Sequence, residues 1–200
     1  MILEIRDRRE NLRRCYRCRR MSTIELITLI DAPVETCFRL SLSIDLELKA
    51  ATAYQIRTVS GVTSGMIGPG QRVGWKTKQF GITVTHVSEI TEFQQPIFFR
   101  DSMVKGIFKS FQHDHFFKVL AVNKTEMRDS LRFSMPIWLM GAVSERLIMR
   151  SRLIRLLQLR NSLIKESAEA AVKLNQRTTN GLHAPGEGRR MSGQSPPARG

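Results

Sequence analysis

Residues 108–117 read FKSFQHDHFF, two histidines either side of an aspartate in a run that is otherwise mostly aromatic. Imidazole is both a proton shuttle near neutral pH and a common metal ligand, so a His-x-His pair marks a candidate site. In an extended strand, residues two apart share a face. This places Phe111, His113, His115, Phe117, Val119 and Ala121 on one side, and Ser110, Gln112, Asp114 and Lys118 on the other. The first set is the more apolar and is expected to face an interior. Asp114 is therefore not the partner of the histidines that flank it. Better partners stand on the neighbouring segments: Asp101, in phase with Phe99 and Met103, and Asp129, in phase with Met127, Leu131 and Phe133. Turns near Gly106 and Asn123 would bring both acids to the histidine face. An ionised carboxylate in an apolar pocket is costly unless paired, and a facing imidazole is a suitable partner.

Three roles for these four residues stay open. They form a satisfied polar patch that fixes strand register, they anchor a ligand's carbonyl or hydroxyl, or they move protons. A metal ranks last, because two imidazoles need a third or fourth ligand and, although carboxylates could serve, no HExxH or paired CxxC motif supports it. No metal and no cofactor are expected. Trp75, with Val73 and Thr77, and His86, with Val84 and Ile82, have the alternation of inward positions on two other segments. Cys15 and Cys18 form a single CxxC, half of a structural zinc site, and Cys37 cannot complete it alone. The glycines 61, 65, 68 and 70 resemble a phosphate loop but lack its Lys-Ser/Thr pair, so turn chemistry is the expectation.

The elements that must position these residues follow from pattern. TIELITLI (23–30) is β-branched and runs into Asp31-Ala32-Pro33, the start of a helix. Residues 33–41 and 43–51 have helical spacing, with a break near Ser43. From residue 57 to 136, six alternating segments punctuated by Gly, Pro and Asn predict an antiparallel meander. The apolar loop 137–140 carries Trp138, which either lines a pocket mouth or plugs the core. About thirty residues without Gly or Pro follow from Ala142, one long helix. A curved sheet of about seven strands, crossed by one helix that covers its concave face incompletely, leaves a cavity suited to a small molecule.

The stretches IELITLIDAPVETCFRLSLSIDLEL, GVTSGMIGPGQRVGW and FRDSMVKGIFKSFQHDHFF, with a closing helix that ends RNSLIK, resemble a bacterial ligand-binding branch of the SRPBCC superfamily. That resemblance covers roughly residues 22–168. It implies an α+β, START-like helix-grip fold, with two short helices after the first strand and a long C-terminal helix. It also implies a deep hydrophobic cavity of the kind that holds lipids, quinones or polyketides in polyketide cyclases and coenzyme Q-binding proteins. No catalytic residues transfer with it.

The formal charge of +14 does not point to nucleic acid once it is divided along the chain. Residues 1–20 carry eight Arg against three acids, whereas residues 21–142 carry thirteen basic against eleven acidic residues. The central region is nearly neutral, and nucleic acid is not the expected partner. Residues 1–21 are expected to be a basic disordered extension, or the product of a start placed too early. Residues 22–173 are expected to form the domain and 174–200 a disordered tail. Three cysteines without a regular framework suit the cytoplasm. The last helix is apolar nearly all the way round, with Arg146, Arg150, Arg152, Arg155 and Arg160 scattered through it. Either the Arg stems lie over apolar surface with their charges in water, or the second apolar side meets a partner subunit or an anionic membrane.

The expected function is binding of an apolar small molecule by a protein that is not an enzyme. Its ligand-binding residues are Trp75, His86, Phe99, Asp101, Met103 and Phe111, then His113, His115, Phe117, Asp129, Leu131, Phe133 and Trp138. The alternative is a cyclase or dehydratase in which His113 or His115 transfers protons with Asp101 or Asp129.

Overall fold

The structure is a computed structural model that describes residues 21–79, 82–136 and 143–181. Strand β1 (Ser22–Ile30) leads through Ala32 and Pro33 into helix α1 (Val34–Ser41). Ser43 ends that helix and caps the next, α2 (Ile44–Ala51), its Oγ accepting from the Leu46 amide at 3.3 Å. This side-chain cap turns the break near Ser43 into a sharp corner. Six further strands follow: β2 (Arg57–Gly61), β3 (Arg72–Gln79), β4 (Ile82–Gln94), β5 (Phe98–Lys105), β6 (Ser110–Ala121) and β7 (Lys124–Ser134). Helix α3 (Val143–Gly181) closes the chain. It runs past residue 173, because nothing in VKLNQRTTN breaks a helix before Gly181.

The strands form one antiparallel sheet in the order β1-β7-β6-β5-β4-β3-β2. Register shifts at Thr58/Ser60, Val87/Ser88, Ile90/Glu92 and Val119/Ala121 bend it, since each extra residue adds local twist. The glycine cluster makes turns: Gly61, Gly65 and Gly70 all have positive φ. At Gly61 a Cβ would also stand 2.0 Å from the Arg72 carbonyl oxygen, so only glycine fits. The loop that follows is tied to the helix corner by Ile44 N–H to Gly65 O at 2.8 Å and Ile67 N–H to Leu42 O at 3.0 Å.

Two apolar clusters occupy the space between sheet and helices. In one, Phe38 of α1 meets Phe93, Phe99 and Phe117 edge-on, at ring separations of 5.3, 5.6 and 5.2 Å. In the other, Leu131, Phe133, Met149 and Leu157 pack with Phe108 and Phe111. Helix α3 faces the sheet through Met149, Leu157, Ile164 and Ala168. Among the described residues, no helix is long and apolar enough to cross a membrane.

Candidate functional site

A cavity of about 200 Å³ lies between the sheet and α3, room for on the order of seven water molecules at about 30 Å³ each. Its wall takes apolar side chains from every layer, including Ile67, Trp75, Ile90 and Phe99, with Leu153 and Leu157 from α3. Asp101, His113 and His115 of β5 and β6 form the largest group of ionisable side chains in it.

The meander places Asp101 directly across from His113, and Asp129 directly across from His115. The side chains pair on the diagonals instead. His113 Nε2 lies 3.0 Å from Asp129 Oδ1, and His115 Nε2 lies 3.2 Å from Asp101 Oδ2. The second nitrogens also meet carboxylates: His113 Nδ1 is 3.6 Å from Asp101 Oδ2, and His115 Nδ1 is 2.9 Å from Asp129 Oδ1. That last approach is close but poorly aligned, and leaves His115 Nδ1 without a hydrogen bond. Two carboxylates thus bracket two imidazoles whose rings are 3.8 Å apart. Asp129 is fully buried and does not reach the cavity, whereas Asp101, His113 and His115 line it.

Helix α3 completes the cluster. Asn161 donates from Nδ2 to Asp129 Oδ2 at 2.6 Å and to Thr28 Oγ1 at 3.1 Å. Arg160, 4% exposed, donates to Glu47 of α2 at 2.6 Å and to the Ser41 carbonyl at 2.8 Å. Its Nη1 stands 3.6 Å from Asp129 Oδ1. Of the arginines scattered along the helix, this one does not reach for water. It lies inward and lines the cavity.

These contacts set the charge states. Burial opposes ionisation of Asp129, but the His113 hydrogen bond and the adjacent His115 imidazole hold its carboxyl well below the usual range. Asp101 is likewise held low against burial, by the His115 hydrogen bond and the charge of His113. Burial, helped by the neighbouring charge on His115, lowers the His113 imidazole. Burial and Arg160 also oppose charge on His115, yet its hydrogen bond to Asp101 and the close Asp129 carboxylate raise it. Burial lowers His86, with Asp101 a partial offset.

Of the residues singled out from sequence, Trp75, His86, Phe99, Asp101, Phe111, His113, His115 and Leu131 reach the cavity. Phe117, Phe133 and Met103 do not. Phe117 is taken up by the edge-on cluster around Phe38, and Phe133 by Phe108 behind the wall. Met103 packs against Gly106 at the far end of β5. Asp114 is on the outer face but is 3% exposed, held by Arg100 and Arg132. Trp138, Cys15, Cys18, the N-terminal extension and most of the tail fall outside the described residues. Sequence reasoning missed Glu47, Arg160 and Asn161 as parts of the site. The available signal was spacing: 149, 153, 157, 160, 161, 164 and 168 make one stripe at helical period, with two polar residues inside it.

No family model matches the chain, and no curated protein matches it in sequence. Solved structures do match in fold. The Zhui aromatase/cyclase from Streptomyces sp. R1128 is 14% identical with a TM-score of 0.55, over 76% of this chain and 96% of that one. A protein from Thermus thermophilus is 18% identical with a TM-score of 0.53, over 74% and 99%. Norcoclaurine synthase from Thalictrum flavum, solved in complex with dopamine and hydroxybenzaldehyde, is 11% identical with a TM-score of 0.52, over 83% and 96%. At these identities the likeness is one of fold. The chain shares the START-like, helix-grip fold of these structures.

Proposed function

We propose that the chain binds an apolar small molecule of the lipid, quinone or polyketide-like kind in the cavity under α3, as a cytoplasmic binding protein. The observation that carries this reading is the distribution of polarity. The wall is mostly apolar, with Thr77, His86 and Ser88 as separate polar points on β3 and β4, and its charged groups gather where Asp101, His113 and His115 meet Arg160 and Glu47. Small-molecule sites have this composition. Burial of ligand surface, at roughly 25 cal/mol per Å², supplies affinity, and the polar group orients a carbonyl or hydroxyl. Native mass spectrometry of freshly purified protein, followed by extraction, tests this directly. A copurifying apolar molecule, or uptake of an apolar fluorescent dye that Leu153→Trp reduces at least tenfold in a still-folded chain, is expected. A protein that takes up neither would sink the reading.

A second reading is proton-transfer catalysis of the cyclase or dehydratase kind. What favours it is an imidazole nitrogen held by a carboxylate at a cavity wall, the arrangement of a base and its orienting group. His115→Gln separates the two: binding weakened modestly means an anchor, while turnover lost with binding spared means a catalyst. A peripheral membrane contact would use α3, where Leu147, Ile148 and Leu159 are exposed beside Arg150 and Arg155. No co-sedimentation with anionic vesicles at low salt would remove it.

A further inference from the structure

We propose that Asp101, His113 and His115 form a mononuclear divalent-metal site of the zinc type, its fourth position open to the cavity. Ligand-atom spacing is the first argument. Zinc bonds to imidazole and carboxylate are about 2.0–2.2 Å, so two ligand atoms of a tetrahedral site stand about 3.4 Å apart. Asp101 Oδ2 is 3.6 Å from His113 Nδ1 and 3.2 Å from His115 Nε2, and all three ligand atoms fall within 4.8 Å of one another. An octahedral site would draw neighbouring atoms to about 3.0 Å.

The second argument is what lies behind the imidazoles. A metal-bound histidine almost always hands its other nitrogen to a carboxylate or carbonyl, which fixes its tautomer. Here His113 Nε2 is hydrogen-bonded to Asp129 Oδ1 at 3.0 Å, and His115 Nδ1 stands 2.9 Å from the same oxygen without an aligned hydrogen bond. That carboxylate is itself fixed by Asn161.

From sequence a metal ranks last for want of a motif, although carboxylates could serve; the carboxylate proposed as third ligand, Asp101, comes from β5. The site stands whether or not the cavity holds an apolar molecule.

The test uses the full chain carrying Cys15→Ser and Cys18→Ser, stripped with chelator and titrated with Co(II). One equivalent taken up with the intense visible bands of tetrahedral cobalt, and displaced by Zn(II), is expected. Asp101→Asn and His113→Gln should each weaken uptake at least tenfold, and Asp129→Asn by roughly ten- to a hundredfold. Lys118→Ala should change nothing. X-ray absorption at the zinc edge of the otherwise unsubstituted protein needs no site variant. Two imidazoles in the shell support the site, and a shell without imidazole overturns it. No uptake, a pale octahedral cobalt spectrum, or equal uptake by a folded Asp101→Asn protein also overturns it.

Discussion

Three consecutive residues of β6 build two opposite kinds of ionic cluster. Asp114, pointing to the convex face, is held by Arg100 and by Arg132, the latter at 2.6 Å, with Gln112 at 3.1 Å and Glu92 beyond Arg100. His113 and His115, pointing to the concave face, are held by Asp101 and Asp129. The outer cluster pairs a carboxylate with guanidiniums, which stay charged at any relevant pH, and its arginines keep 24% and 37% of their exposure. It is a fixed clamp across β5, β6 and β7. The inner cluster uses groups whose protonation can change, beside a cavity. One face of the strand serves registration, and the other has the means for chemistry.

The largest break in this contrast should come from Asp129→Ala. It strands Arg160 and both imidazoles without their shared carboxylate, and urea unfolding should show a loss of about 3–5 kcal/mol. Asp114→Asn should cost only about 1–3 kcal/mol, as expected for hydrogen bonds to charged groups, and leave dye uptake unchanged. Equal costs at the two sites would erase the distinction.

A pH series sharpens it further. Although burial opposes it, the Arg100 and Gln112 contacts hold the Asp114 carboxyl below its ordinary value. Its contribution is therefore full above about pH 3.9, the unfolded value, and is lost as pH falls through the lower folded value. The stability gap between wild type and Asp114→Asn should close in that acid window. The smallest effect is that of salt. At about 1 M, where the screening length is about 3 Å, the cost of Asp114→Asn should shrink by a few tenths of a kcal/mol, while the cost of Asp129→Ala holds.

The period-two alternation of SFQHDHFFKVLA was enough to separate His113 and His115 from Asp114, because a strand side chain has only two faces to choose from. Asp101 and Asp129 followed from the hairpin turns. The diagonal pairing did not, since alternation places residues on a face without saying how far a carboxylate leans along it. Arg160 was hidden for a different reason. A helix apolar nearly all the way round does not say which of its stripes turns inward, and a long Arg stem is as ready to cover surface as to enter a core. Phe117 and Phe133 carry the inward parity of cavity residues, but α1 and Phe108 reach them first, and contacts between elements are not written in either element alone.

The diagonals also constrain how the chain comes together in time. β1 pairs with β7 from Ser22↔Phe133 to Ile30↔Thr125, so the first strand waits for a partner about a hundred residues downstream. Asn161 then ties Thr28 to Asp129 from a helix that comes later still. Such distant pairings make folding slow relative to local ones. On the ribosome, β6 emerges with its histidines long before α3 exists to hold their counter-carboxylate. The cluster is thus among the last features to close, and its closure reports that both ends of the domain have been joined.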